Sequence, residues 1–248
     1  MSNREKKYRE ALSKIADVAG AAAAHAEQLA EGEGPQDGGE GKPACVLKSL
    51  PTRLLVNAAK TAMKINPVNG PVFGPVAQVL DDSVPTPMMI AVMVGKYWGP
   101  TPRQLTVSFV EATPADLRAR IVGHMNAWLT TACISFVETQ GTGDVRISRG
   151  GGGYWSYLGT DILHIPKNRQ TMNLQGFTMN TPESEYRRVV RHETGHTLGF
   201  PHEHMRKDLV ARIDANRAYS YFLQNYGWDK TTVDQQVLMA LEDRKSVV

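Results

Sequence analysis

Along this chain, apolar residues recur every three or four positions in some stretches and every second position in others. Residues 48–64 place Leu50, Leu54, Leu55, Ala58, Ala59, Ala62 and Met63 at helical spacing, which predicts a short amphipathic helix. Asn66-Pro67 and Asn69-Gly70-Pro71 then stop it. Residues 104–110 alternate and are β-rich, which predicts a strand. Thr113-Pro114-Ala115-Asp116 reads as a helix start with Thr113 as N-cap, and the helix is expected to reach about Thr131. Leu117, Ile121, His124, Met125 and Trp128 share its apolar face. Short strands are expected over 134–138, 144–148 and 162–165, with a glycine-rich connection over 149–154. Thr181-Pro182-Glu183 opens a second helix, again with a Thr cap, which ends at Leu198 before Gly199. Strands and helices in this mixed order predict an α+β domain.

Upstream the pattern is looser. Residues 4–30 are expected to be helical, 31–42 to be a flexible acidic linker, and 87–95 to suit a strand, with Met88, Met89 and Met93 in packing. This divides the chain into a leader over 1–43, an extension over 44–95 that is a possible pro-segment, and a main domain over 96–248. Lys plus Arg is 28 against 25 acids, a net charge of +3, too small to suggest a nucleic-acid partner. No apolar run has the length of a membrane span. Two cysteines exclude a disulfide-built scaffold. Lys14 and Asp17 interrupt what a secretory signal needs as its apolar stretch, so the compartment is open. Oligomeric state is open as well.

Candidate chemistry comes from histidine. Of seven, His192, His196, His202 and His204 fall within thirteen residues. His192 and His196 stand four apart on the second helix, so both imidazoles face one way and reach one ion. Glu193 beside the first is placed to act on a metal-bound water rather than to ligate. Gly199 allows a sharp turn that brings His202 round as a third ligand. Three nitrogen ligands and an open position define a catalytic zinc site, one Zn²⁺ per chain. Zinc would lower the water's pKa toward ~7, and Glu193 would take its proton as general base.

The segment HETGHTLGFPH resembles the metzincin zinc motif, and the Glu203-His204-Met205-Arg206-Lys207-Asp208 continuation is similar to its astacin branch. Tyr154-Trp155-Ser156-Tyr157-Leu158-Gly159 resembles the astacin Cys-Trp-Ser-Tyr-x-Gly stretch. The resemblance covers roughly residues 97–228. It implies a zincin fold: a twisted mixed sheet, a backing helix and a zinc-binding helix. It also implies His192, His196 and His202 as zinc ligands and Glu193 as the base. The activity implied is metalloendopeptidase cleavage of an extended peptide or protein substrate. By the same resemblance Glu203 is expected to be buried, and residues 171–177 are the best match for the edge strand on which substrate pairs. The sequence departs from the family at Tyr154, which stands where astacins have Cys. The family's disulfides are absent, and extracellular function rests on the resemblance alone. No Met-turn is found before Val248, so the C-terminal subdomain is expected to be incomplete. That departure motivates a second reading, a catalytically inactive zinc-binding pseudoenzyme or fragment that binds peptides.

Among other residues, Cys45 follows the linker and precedes the main domain. It either fills the open zinc position in a latent precursor, pairs with Cys133, or is an ordinary thiol. Cys133 is expected in the core, His124 and His164 as satisfied core histidines, and Tyr157 as structural. His204 is expected to touch substrate or the groups around the site, or to lie on the surface.

Overall fold

The computed structural model describes residues 45–70 and 95–240, and the structural statements that follow concern these residues. The expected helix over 4–30, the linker over 31–42 and, but for Gly95, the strand over 87–95 lie outside them. Five strands form one sheet: β1 (Arg103–Phe109), β2 (Ile134–Glu138), β3 (Val145–Ser148), β4 (Tyr154–Ser156) and β5 (Met172–Leu174). Their order is β2-β1-β3-β5-β4, parallel throughout except that β4 runs antiparallel to β5. β3 is buried at all four positions, as an interior parallel strand must be. Its Arg146 is tolerated there because its guanidinium donates to the carbonyls of Gly143, Asp144, Ile165, Pro166 and Arg169, at 2.6–3.5 Å. These bonds tie the loop leading into β5 to the sheet.

β5 lies between β3 and β4, so the edge at this end of the sheet belongs to β4 and not to residues 171–177 as expected. The stretch Gly150 to Gly153 loops out, and the chain returns as β4, led by Tyr154 and Trp155, the residues of the sequence motif.

One sheet face packs on α2 (Ala115–Met125). Leu117, Ile121 and Met125 meet Leu105, Val107, Ile147 and Phe136, all essentially buried. Each full burial of such a side chain is worth about 1.5–3 kcal/mol. Thr113 does not cap this helix: Pro114 holds the cap position, and Thr113 Oγ1 instead donates to the Glu111 carbonyl at 2.9 Å. Beyond Met125 the helix tightens to a 3₁₀ stretch, Asn126–Thr130. Cys133 is exposed, at the turn before β2, with Sγ 3.2 Å from the Pro100 carbonyl, so it is not a core residue.

Residues 162–165 are not a strand. Gly159, at φ +48°, turns the chain so closely under Lys96 that an added Cβ would meet the Lys96 carbonyl oxygen. The Thr160 N–H donates to that carbonyl, and Gly159–His164 winds as a 3₁₀ helix against α1 (Thr52–Ile65). Leu50, Ala58 and Ile165 fill the contact. Lys96 and Asp161 form a buried ion pair beside it, at 3.3 Å.

The second helix is continuous but not uniform. A first turn, Glu183–Glu185, passes through a π-helical stretch, Tyr186–Val190, into α3 (Arg191–Leu198). Pro182 is at its cap position, while Thr181 Oγ1 accepts from the Thr178 N–H at 3.0 Å, so Thr181 is no cap either. Past α3 come α4 (Lys207–Val210), α5 (Ala215–Tyr226), α6 (Lys230–Val233) and a π-helical stretch, Asp234–Leu238. Asp214 and Asp229 cap α5 and α6, each side chain accepting a backbone N–H, at 3.0 and 2.7 Å. Ala218, Trp228, Val233 and Val237 make a second small core, against which Val46 of the N-terminal segment packs. Among the described residues no helix is long and apolar enough to cross a membrane.

Candidate metal centre

α3 is held in place by groups donated to its own carbonyls. Trp128 Nε1 donates to Arg191 O at 2.9 Å, and Trp98 Nε1 to Thr197 O at 2.8 Å. Gly195 lets Trp128 pack closely on the helix: an added Cβ would stand 3.2 Å from the indole ring. The helix ends in a Schellman arrangement: Phe200 N–H bonds Gly195 O, and Gly199 N–H bonds His196 O. Gly199 sits at φ +108°, a conformation that glycine alone adopts without strain. This turn carries the chain back so that His202 faces the two helix histidines.

His192, His196, His202 and Cys45 converge, with one donor atom from each all within 4.8 Å of one another. His192 Nε2 lies 3.3 Å from His202 Nε2, and Cys45 Sγ lies 3.4 Å from His196 Nε2 and 3.3 Å from His202 Nε2. Donors spaced so suit a tetrahedral ion with metal–nitrogen bonds of about 2.0–2.1 Å, whose nitrogen–nitrogen edges are about 3.3 Å. The donor chemistry fits too. His196 Nδ1 lies 2.7 Å from the Phe200 carbonyl, which cannot donate, so Nδ1 carries the proton and Nε2 presents its lone pair. Burial, reinforced by His192, holds His196 down to about 4 against the Phe200 carbonyl, which favours its charge. Burial, with His196, His204 and His192 adding to it, holds His202 down to about 3. Burial and Arg188 also lower His192. All three are therefore neutral at pH 7, the state in which an imidazole can bind a metal.

Glu193 is 1% exposed, and its Oε2 has no hydrogen-bond partner. Burial pushes its carboxyl up to about 8, against the pull of Cys45 and Arg188. An orphaned acid beside three neutral imidazoles is a site lacking a positive charge, which a dication supplies. The Cys45 thiol is pushed well up, chiefly by burial and then by the Glu193 charge. The expected trio and the expected base thus come together, and so does Cys45. Cys45 and Cys133 are both free thiols, which removes the pairing alternative.

The segment after Cys45 lies along the open edge of β4. Cys45 and Lys48 form parallel bridges with Tyr154 and Tyr157, and Val46 N–H donates to Tyr154 O at 3.0 Å. The cleft under it, about 330 Å³, is walled by Tyr154, Arg188, Phe222, Tyr226, Trp228 and Gln236. A larger groove of about 570 Å³ crosses the ends of β1 and β2, away from the histidines. Arg118 and Glu138 pair within its lining at 2.6 Å, and its Glu111 is bonded by Ser148 and Arg149 beside it. That groove brings no candidate nucleophile or ligand set together.

Other expectations are corrected. Glu203 is exposed and pairs with Arg206 at 2.9 Å, so it is not buried. His124 lies on the inner face, with Nε2 3.3 Å from Glu183, but its buried Nδ1 has no partner. His164 Nε2 is likewise buried without a partner, so neither is fully satisfied. His204 stacks on His202, ring centres 5.0 Å apart, and its Nε2 lies 3.1 Å from Gln236 O. Arg188 and Gln236 were missed. Arg188 stands four residues before His192, a spacing that signals a shared helix face, although the π-helical stretch alters the phase. Gln236 carried no signal in sequence.

The family model described as Astacin, a peptidase family, matches residues 94–238, more than half of the chain. Zinc metalloproteinase nas-27 of Caenorhabditis elegans is 30% identical over 101 residues, 41% of this chain and 22% of that protein. Zinc metalloproteinase nas-38 of the same organism is 28% identical over 112 residues, 45% and 14% respectively. The match therefore spans less than a quarter of the length of these curated relatives. Among solved structures, that of myroilysin is similar at 33% identity with a TM-score of 0.54, covering 58% of this chain and 71% of that one.

Proposed function

The chain belongs to the astacin family of peptidases, and from that membership and the site's geometry we propose that it is a zinc-dependent endopeptidase held latent by Cys45. The convergence of His192, His196 and His202 with Glu193 buried beside them carries this reading. The three Nε2 atoms would hold one Zn²⁺. When bound, zinc supplies Lewis-acid polarisation of a peptide carbonyl and acidification of a water molecule. Glu193, freed from Cys45, takes the proton from the attacking water and passes it to the leaving amine. A substrate is held extended on the edge of β4, where the backbone of residues 45–48 now pairs. The substrate class is an extended peptide or unfolded protein segment.

Cys45 stands where a fourth ligand would, so the segment blocks both the metal and the strand edge. Release requires the segment to be cleaved or displaced. The testing experiment is hydrolysis of an unfolded protein by the zinc-loaded chain carrying Cys45→Ala, with and without a chelator. Cleavage that stops with chelator and returns with zinc is expected. Cleavage indifferent to the chelator overturns the reading.

A further inference from the structure

We propose that Gln236 is the backbone clamp of the cleft, gripping the main chain of whichever extended peptide lies along β4. The inference rests on the peptidase reading for its second occupant, the substrate; its first, the segment after Cys45, is already in place. Leu47 N–H donates to Gln236 Oε1 at 2.8 Å, and Gln236 Nε2 donates to Leu47 O at 3.4 Å. One residue back, Val46 N–H points the other way, to Tyr154 O. An extended chain turns successive peptide groups to opposite sides, so a strand seated on β4 leaves every second residue unpaired on its far side. Gln236 meets one of those residues there.

A primary carboxamide carries one acceptor and a donor pair on the same carbon, the groups a neighbouring strand would offer. Gln236 therefore closes the segment between two partners, with a real strand on one side and a single side chain mimicking one on the other. It reads backbone only, so it sets position without selecting a side chain. Half a turn of the carboxamide exchanges its donor and acceptor, so it serves a peptide of either direction. Its own place is fixed: Val233 and Val237 are buried on either side of it in sequence, and its carbonyl is 3.1 Å from His204 Nε2, next to His202. The grip is thus built into the same wall as the third histidine.

The test has two arms on the full chain, with Gln236→Ala and the acceptor-only Gln236→Glu compared by thermal unfolding to confirm that both fold. The first arm follows labelling of the Cys45 thiol by a disulfide reagent in the metal-free protein, which needs no activity. One hydrogen bond of ordinary length and one long one together correspond to at most roughly tenfold. Gln236→Ala should label faster by up to about tenfold, and Gln236→Glu by less. The second arm measures peptide hydrolysis by the zinc-loaded Cys45→Ala chain. Gln236→Ala loosens the competing segment and the substrate alike, so the grip on substrate is read not from KM but from where along the peptide a missing N–H is penalised. A series of singly N-methylated peptides should contain one position at which the Gln236 protein loses about tenfold and the Ala variant loses nothing. Positions facing β4 should be penalised in both. If the Gln236 protein cleaves nothing, the peptidase reading fails and the thiol arm alone decides the clamp. Unchanged labelling overturns the grip on residues 45–48, and equal losses in the Gln236 protein and the Ala variant at every N-methylated position overturn the grip on substrate.

Discussion

Gly199→Ala tests how one glycine places the third histidine. At φ +108° an L-residue is outside its ordinary regions, a strain of about 1–3 kcal/mol. The added methyl would also stand 3.0 Å from both Lys96 O and Tyr97 Cδ1, and 3.2 Å from Lys96 C. Backbone cannot give way as the end of a side chain does, so the total is about 2–4 kcal/mol. In a domain of this size that lowers Tm by roughly 5–15 °C. The metal-free protein can relieve part of the strain by shifting the turn, and with it His202. Binding zinc must then restore the strain, and about 2 kcal/mol of it corresponds to roughly thirtyfold weaker binding. Thermal unfolding and competition for zinc against a chromophoric chelator measure the two effects. Gly227→Ala is the control: Gly227 is also left-handed, at φ +66°, but nothing lies within 4 Å of an added Cβ. It should cost only about 1–2 kcal/mol and leave zinc affinity unchanged. Unaltered Tm and zinc affinity in Gly199→Ala would refute the link between this turn and the ligand set.

Two further outcomes are expected. Cys45→Ala should raise the initial rate of peptide cleavage by the full chain roughly tenfold or more, equivalent to at least ~1.4 kcal/mol of latency; equal rates from the two proteins would remove Cys45 from latency. His164, lowered from its ordinary 6.5 by burial and then by Lys96, makes stability pH-dependent. Below that pH the folded protein binds fewer protons than the unfolded chain. This contribution is therefore fully present above about pH 6.5 and lost as pH falls, by at most about 1.4 kcal/mol per pH unit. Denaturant titrations at pH 6.5 and 5.5 should show a shallower acid loss for His164→Gln, and an unchanged slope would contradict the assignment.

The site was legible because its geometry is local. Spacing of four on a helix and a glycine before the third histidine place His192, His196 and His202 without knowledge of distant parts of the chain. Strands β1, β2 and β3 were legible in the sequence, β1 from its alternation, within a residue or so at their ends. What failed depended on contacts far along the sequence. Residues 162–165 are apolar enough for a strand, but the Lys96 carbonyl takes the Thr160 N–H and α1 covers the turn. Which strand is the edge depends on β4 folding back on β5, and a three-residue strand leaves little periodicity to read. Thr113 and Thr181 have the composition of caps, yet each hydroxyl bonds a backbone group upstream of the helix instead. The resemblance predicted a buried Glu203, whereas here it pairs at the surface with Arg206. Gln236 acts from 189 residues beyond Leu47, and no local pattern announces such a contact.

The central claim is that Glu193 moves the proton while the histidines hold zinc. The most direct measurement compares Glu193→Gln with its parent in the Cys45→Ala chain, assaying zinc content and peptide hydrolysis on the same preparations. One zinc per chain is expected in both, with hydrolysis lost by at least about a hundredfold in the variant. Undiminished hydrolysis by Glu193→Gln with its zinc retained would contradict the claim.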